Sequence, residues 1–309
     1  FCDVDPSAVI TGLDVEDIYE IPIIFEQEGL PENIHKKLNI YSPPDLRKWK
    51  KLVENIRHPK HEITVAMCGK YTKLEDSYAS IIESFNHCSA HLGCKINVEW
   101  VETTDFTDTS ILKNIDGLVI PGGFGARGTE GKIEAIRVAR ERDIPFLGLC
   151  LGLQLAVIEF ARHVCGLEDA NSTEMNADTP HPVIDILPEQ KAITEKGGTM
   201  RLGAYPALLK EGSVVHGLYN ALKVSERHRH RYEVNPRYHT ILQEKGLSFS
   251  GTSPDGKLVE FIELPDLKFF AATQAHPELK SRMEKPAPLF YGFVKACMAC
   301  NQQPVTRPA

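Results

Sequence analysis

Cys150 occupies a position suited to nucleophilic chemistry. It is the centre of a Gly-Leu-Cys-Leu-Gly run at 148–152, where a predicted strand ends and a predicted helix begins. Glycines on each side of a sharp turn relieve crowding, as in a nucleophile elbow. At a helix N-terminus the sulfur is stabilised as thiolate, the form that attacks a carbonyl carbon. A buried core cysteine between two glycines is the alternative that this run leaves open.

Two other segments could supply the partners of such a nucleophile. His276 and Glu278 follow a predicted strand, so the imidazole can accept the thiol proton while the carboxylate orients the ring. A Pro-Gly-Gly-Phe-Gly loop at 121–125 also follows a strand. It can aim a backbone N–H at a developing oxyanion, with the N–H of Leu151 as a second donor. Because loops at the carboxyl edge of an open α/β sheet share one crevice, the three segments predict acyl transfer by Cys150.

Alternating strand and helix patterns must position these segments. Buried strands and amphipathic helices are predicted in turn from residue 63 onwards. The strands are predicted at 63–68, 96–101, 117–120, 144–149, 258–262 and 269–273, and the helices at 76–90, 131–142 and 151–164. Such alternation is typical of an α/β fold with a mainly parallel central sheet covered on both faces.

Composition excludes several other classes of protein. With 309 residues, 35 basic and 42 acidic side chains and a net charge of −7, the chain is a poor candidate for nucleic-acid binding. No apolar stretch approaches the length of a membrane span. The eight cysteines are scattered, which favours a reducing, cytoplasmic setting over a disulfide framework. Cys297 and Cys300 lack further ligands, so we interpret them as core positions of a helix rather than a metal site.

The motifs resemble a known family. The loop at 121–125, the Gly-Leu-Cys-Leu-Gly-Leu-Gln run at 148–154 and His-Pro-Glu at 276–278, in this order, are similar to the class-I (triad-type) glutamine amidotransferases. Longer strings narrow the resemblance to the amidotransferase domain of the CTP synthases. They lie at 69–71, 170–174, 197–203 and 226–235. The resemblance implies a flavodoxin-like three-layer sandwich.

The same resemblance implies a glutamine site. It assigns the carboxylate of glutamine to Arg231, whose fork suits a carboxylate, and the amino end to Glu174 and Gln154. Gly123 matches the family's backbone contact in the oxyanion loop, where it also touches substrate.

The run at 226–231 is ambiguous without the family. On residues alone, its mixed charges are typical of an exposed loop, whereas the resemblance makes it part of the glutamine site through Arg231. We interpret His228 and His230, beside that arginine, as structural or interfacial residues.

The resemblance also predicts domain boundaries. Residues 1–44 are similar to the end of the synthase (amidoligase) domain, 45–60 form a linker, 61–302 form the amidotransferase domain and 303–309 form a disordered tail. The chain begins at Phe1, which we interpret as a cut from a longer polypeptide.

For this chain we expect glutaminase chemistry with L-glutamine as substrate, no cofactor and no metal. The resemblance implies that the full-length enzyme binds ATP, UTP and Mg²⁺, responds to GTP as an effector and forms a homotetramer. The loop at 124–128 is a candidate GTP contact. There are three alternatives. The chain is another class-I amidotransferase, such as the glutaminase of GMP synthetase, or a γ-glutamyl hydrolase, or a silent regulatory domain of the same fold. The expected partner is the synthase domain of the same polypeptide, and we expect the protein to bind neither nucleic acid nor membrane.

Overall fold

The structure is a computed structural model that describes residues 3–12, 14–40, 42–69, 75–104, 108–186 and 200–301. Its α-helices are α1 (Ile21–Gln27), α2 (Leu30–Leu38), α3 (Arg47–Arg57), α4 (Ala79–Leu92), α5 (Thr129–Glu141), α6 (Leu151–His163), α7 (Val214–Tyr219), α8 (His239–Glu244) and α9 (Pro288–Asn301). Its strands are β1 (His61–Gly69), β2 (Cys94–Glu102), β3 (Gly117–Ile120), β4 (Phe146–Leu149), β5 (Asn171–Ser172), β6 (Pro182–Asp185), β7 (Arg201–Leu209), β8 (Lys223–His230), β9 (Glu233–Val234), β10 (Ser248–Thr252), β11 (Val259–Glu263) and β12 (Phe270–Thr273). The tail predicted at 303–309 lies outside the described residues.

The central sheet has a parallel half and an antiparallel half. Within the described ranges its strand order is β2-β1-β3-β4-β12-β11-β10-β7-β8. The first five strands pair in parallel, and every pair from β12 to β8 is antiparallel. A small sheet of β5, β6 and β9 lies apart from it. The parallel half has the order of a flavodoxin-like sheet, so the predicted fold class is confirmed.

Two apolar layers cover the faces of the sheet. One contains Ile136 of α5 and Ile158 of α6, and the other contains Phe85 of α4 and Phe293 of α9, all of them buried. Their apolar faces follow helical spacing, which explains why these segments form amphipathic helices. Cys297 belongs to the second layer and is fully buried, which confirms the packing interpretation of that cysteine.

The predicted strands and helices agree with the structure to within a few residues, whereas β7, β8 and β10 were not among the predicted strands. The run at 226–231, typical on its residues of an exposed loop, is mostly strand β8. Alternate side chains of this strand are buried, namely Glu226, His228 and His230. Their partners are Lys280, Glu260 and Glu233 respectively. Protein groups, and not solvent, therefore satisfy these three polar side chains.

The N-terminal helices contact the rest of the chain through aromatic residues. The indole Nε1 of Trp49 in α3 donates to the carbonyl oxygen of Tyr19 at 2.7 Å. The Tyr19 hydroxyl lies 2.6 Å from Nε2 of His87 in α4. The predicted linker at 45–60 thus contains a packed helix, and the boundaries at 44 and 60 stay predictions. No helix in the described part of the chain is both long and apolar enough to cross a membrane.

Candidate active site

Cys150 lies in a strained turn between β4 and α6. Its φ of +50° is a left-handed value that non-glycine residues rarely adopt, and it caps the N-terminus of α6. The flanking glycines allow this close packing. A Cβ on Gly152 would lie 2.3 Å from the carbonyl oxygen of Ile120, and one on Gly148 would lie 2.8 Å from Cβ of Ala272. The nucleophile-elbow geometry predicted for 148–152 is therefore present.

His276 and Glu278 form an ion-paired dyad after β12. The Nδ1 atom of His276 lies 2.7 Å from Oε1 of Glu278, and both side chains are largely buried. The backbone N–H of His276 donates to the carbonyl oxygen of Arg227 at 2.8 Å, which fixes the loop against β8. A carboxylate in this position sets the ring orientation and leaves Nε2 for the reacting partner.

The imidazole also interacts with the candidate nucleophile. Burial alone would lower the pKa of His276, but hydrogen bonds with Cys150 and Glu278, and the charges of both groups, raise its pKa to about 10. The ring is therefore protonated at neutral pH and can stabilise a thiolate beside it. Cys150 is also close to Gln274, whose Nε2 lies 3.7 Å from the sulfur.

The glycine loop at 121–125 contacts both catalytic elements. A Cβ on Gly122 would lie only 2.8 Å from Cε1 of His276, so a larger residue there would push against the imidazole. Gly123 packs beside Leu151, since its Cβ would lie 3.3 Å from that side chain. Leu151 is the first residue of α6, where backbone N–H groups point out of the helix. The loop and the helix start thus meet at Cys150, as an oxyanion hole requires.

One cavity of about 580 Å³ joins the predicted site residues. Those lining it are Gly123, Cys150, Gln154, Glu174, Arg231 and His276. Leu151 and Glu278 are not part of the cavity wall, and each contacts a residue that is. All eight candidate residues are thus within one region of the molecule.

Two of the polar residues in this cavity have fixed positions. Gln154 donates from Nε2 to the carbonyl oxygen of Tyr232 at 3.0 Å and to Oε1 of Gln274 at 3.2 Å. Glu174 accepts from the backbone N–H of Gly125 at 3.1 Å, which ties it to the glycine loop. These contacts hold both polar side chains in the wall of the cavity that contains Cys150.

Sequence reasoning missed some residues of this site. Lys132 lines the cavity although it is only 4% exposed, and Gln274 is fully buried beside the sulfur. Gln274 immediately follows β12 and precedes His276 by two residues, a position that could have indicated it. Lys132 lies in the first turn of α5, after the glycine loop, and only its proximity to that loop could have drawn attention.

No cluster of three or more histidine, cysteine, aspartate or glutamate side chains that could bind a metal ion occurs among the described residues. The chemistry of the cavity is that of a thiol, an imidazole, a guanidinium and a carboxylate. Such a set suits a zwitterionic amide substrate and covalent catalysis.

Comparisons with known proteins agree with this geometry. The family model of glutamine amidotransferase class-I matches residues 73–296. The chain is 55% identical over 307 residues to the CTP synthase of Methanococcus maripaludis and 54% identical over 308 residues to that of Methanocaldococcus jannaschii. Each alignment covers 96% of this chain and 57% of the relative, so the chain spans little more than half the length of these curated relatives.

A solved structure is similar over nearly its whole length. It is the glutaminase domain of the Trypanosoma brucei CTPS with bound acivicin, 37% identical, with a TM-score of 0.72. The match covers 79% of this chain and 96% of that domain.

Proposed function

This chain belongs to the class-I glutamine amidotransferases and, among them, to the glutaminase domains of CTP synthases; from that premise we propose that its cavity hydrolyses L-glutamine to glutamate and ammonia through a thioester on Cys150. The observation that carries the proposal is the convergence of a strained nucleophile elbow with the His276–Glu278 pair on one cavity. Three other polar residues line this cavity, namely Arg231, Glu174 and Gln154, and they suit the carboxylate and the ammonium group of glutamine.

Binding precedes chemistry. Arg231 donates to the α-carboxylate of glutamine in a charge-assisted pair, and Glu174 with Gln154 holds the α-amino end. Glutamine is fixed at that end, and its side-chain amide extends towards Cys150. The support for these roles is that all three residues line the same cavity as the sulfur.

Acylation releases ammonia. The thiolate of Cys150 attacks the amide carbon, and the N–H groups of Gly123 and Leu151 hold the oxyanion. As the tetrahedral intermediate collapses, the C–N bond breaks, and the imidazolium of His276 gives its proton to the departing nitrogen. Glu278 stabilises the charged ring before that transfer. The products of this half are ammonia and a γ-glutamyl thioester.

Deacylation regenerates the thiolate. Neutral His276 accepts a proton from a water molecule, whose oxygen attacks the thioester carbon. The oxyanion again lies against Gly123 and Leu151, and the C–S bond breaks to release glutamate. His276 keeps the proton, and its charge balances that of the released Cys150 thiolate.

The fate of ammonia depends on the rest of the polypeptide. The CTP synthase relatives imply that the whole enzyme uses ATP, UTP and Mg²⁺, and we propose that ammonia from this site aminates UTP in the synthase domain of that enzyme. GTP stimulates that coupling by contacting the loop at 124–128, where Phe124 is 70% exposed. We also propose a homotetrameric, cytoplasmic enzyme.

Covalent labelling tests the glutaminase proposal. The protein is incubated with a diazoketone analogue of glutamine, and intact-mass spectrometry with peptide mapping locates any adduct. We expect a single adduct on Cys150 that excess glutamine prevents, and none in Cys150→Ala. Six other cysteines in the described ranges serve as internal controls. Labelling spread over several cysteines, or unaffected by glutamine, would contradict the proposal, and acivicin offers a second probe.

A further inference from the structure

A buried ionic network lies beside the glutamine cavity. Arg201 on β7 donates from one nitrogen to Glu233 at 3.1 Å and from another to Glu260 at 2.7 Å. His228 contacts the second oxygen of Glu260 at 2.7 Å, and His230 contacts Glu233 at 2.8 Å. All five residues are less than 10% exposed. Such a set is costly to desolvate, so every member depends on its partners.

This network closes a short turn that carries the candidate carboxylate-binding residue. The His230–Glu233 contact joins residues three apart, and the two residues between them are Arg231 and Tyr232. Both of those line the cavity, and the carbonyl oxygen of Tyr232 accepts from Gln154. The turn therefore has a side-chain clamp at its base and a hydrogen bond at its apex.

The other end of the network reaches the strand that leads to the catalytic histidine. The carbonyl oxygen of Glu260 accepts from the backbone N–H of Gln274 at 2.9 Å and from the hydroxyl of Thr273 at 3.1 Å. Those residues precede His276 by two and three positions. Arg201 thus bridges the turn that holds Arg231 and the strand end that holds the base.

We propose that Arg201 and Glu233 are positioning residues that fix Arg231 for the carboxylate of glutamine. The inference rests on the proposed function, because it assigns the recognition of glutamine to this wall of the cavity. Neither residue touches the substrate; each acts through the turn at 231–232. Their removal therefore weakens glutamine binding more than the chemical step.

The guanidinium of Arg201 has several N–H donors, so this single cation can bind the carboxylates of both Glu233 and Glu260. A lysine at 201 would keep the charge but present a single nitrogen, which cannot reproduce two donors aimed at separate strands. Burial would raise the pKa of Glu260, but hydrogen bonds from His228 and Arg201, with the positive charge of Arg201, lower it. The carboxylate form of Glu260 is therefore favoured, which suits its contact with Arg201.

Two substitutions test the proposal. Arg201→Lys keeps the charge and loses the fork, whereas Glu233→Gln is isosteric and weakens the clamp at both His230 and Arg201. We expect the KM for glutamine to rise about 10-fold or more in each, with kcat within about twofold of wild type. Arg137→Lys on α5 is the matched control, since Arg137 pairs with Glu134 at the surface.

Alkylation rates separate positioning from general loosening of the fold. Iodoacetamide reports on the reactivity of Cys150, and the glutamine-shaped diazoketone reports on recognition as well. We expect only the diazoketone rate to fall in the two variants. Equal slowing of both reagents, or an unchanged KM in a folded Glu233→Gln protein, would overturn the proposal. Failure of the wild type to hydrolyse glutamine would instead refute the proposed function.

Discussion

Gly152→Ala offers a sharp test of how the elbow and the oxyanion loop are held together. A Cβ at residue 152 would lie 2.3 Å from the carbonyl oxygen of Ile120, while ordinary contact begins at 3.4 Å. Ile120 ends β3 directly before the glycine loop, and Gly152 follows Cys150 by two residues. The added methyl group thus forces apart, by about 1 Å, the two segments that carry the candidate oxyanion donors.

A shift of that size has a predictable cost. Overpacking of a tight contact destabilises a protein by about 1–3 kcal/mol. Misplacement of catalytic groups by about 1 Å reduces turnover by about 10²-fold. We therefore expect Gly152→Ala to melt a few degrees below wild type and to lose most of its glutamate release.

The matched control is Gly217→Ala on α7, where a Cβ would meet nothing within 4 Å. Alanine is the better helix former, so this variant should be at least as stable as wild type and equally active. Thermal melting and a glutamate-release assay compare the three proteins. Wild-type turnover and melting in Gly152→Ala would refute the reasoning.

Further predictions concern single groups of the site. Arg231→Ala should raise the KM for glutamine by about 10²-fold with a smaller effect on kcat, because a charge-assisted pair with the carboxylate is lost; an unchanged KM in steady-state assays would remove Arg231 from the site. Glu278→Gln should lower the pKa of His276 from about 10, measured by NMR titration of the ring. Since that pKa is raised by folding, the stabilisation from His276 is present below its unfolded pKa of about 6.5 and is lost as pH rises through 10. Urea unfolding of wild type and Glu278→Gln should therefore differ most at low pH in that window, and a constant difference across it would contradict the assignment.

Much of the fold followed from local patterns. Buried strands such as 117–120 and helices such as 151–164 were readable because their apolar residues recur at a period that belongs to one element type. The nucleophile elbow could be predicted because glycines at 148 and 152 indicate that another segment packs closely against the backbone. In the structure, Ala272 lies close to Gly148 and Ile120 lies close to Gly152. The predicted triad residues meet because β4 and β12 are neighbours with parallel direction.

Strand β8 was not predicted from the sequence, and the reason is physical. Its charged residues 226–231 look solvated in isolation, and two of the groups that pair with them, Glu260 and Lys280, come from distant parts of the chain. The sequence around residues 226–231 does not indicate that Arg201 or Glu260 will lie beside them. The alternation of Glu226, His228 and His230 with arginines had the period of a strand, and that period was the available signal.

The sheet order has a consequence for how the protein becomes active during synthesis. Strand β12 lies between β4 and β11, and 124 residues separate Cys150 from Gln274 at the end of β12. Contacts of such long sequence separation form late, because a large loop must close first. A nascent chain that has completed the elbow still lacks its proton donor, and only insertion of β12 brings the two halves of the site together. We therefore expect an incomplete chain on the ribosome, and any chain that terminates before residue 276, to release no ammonia from glutamine.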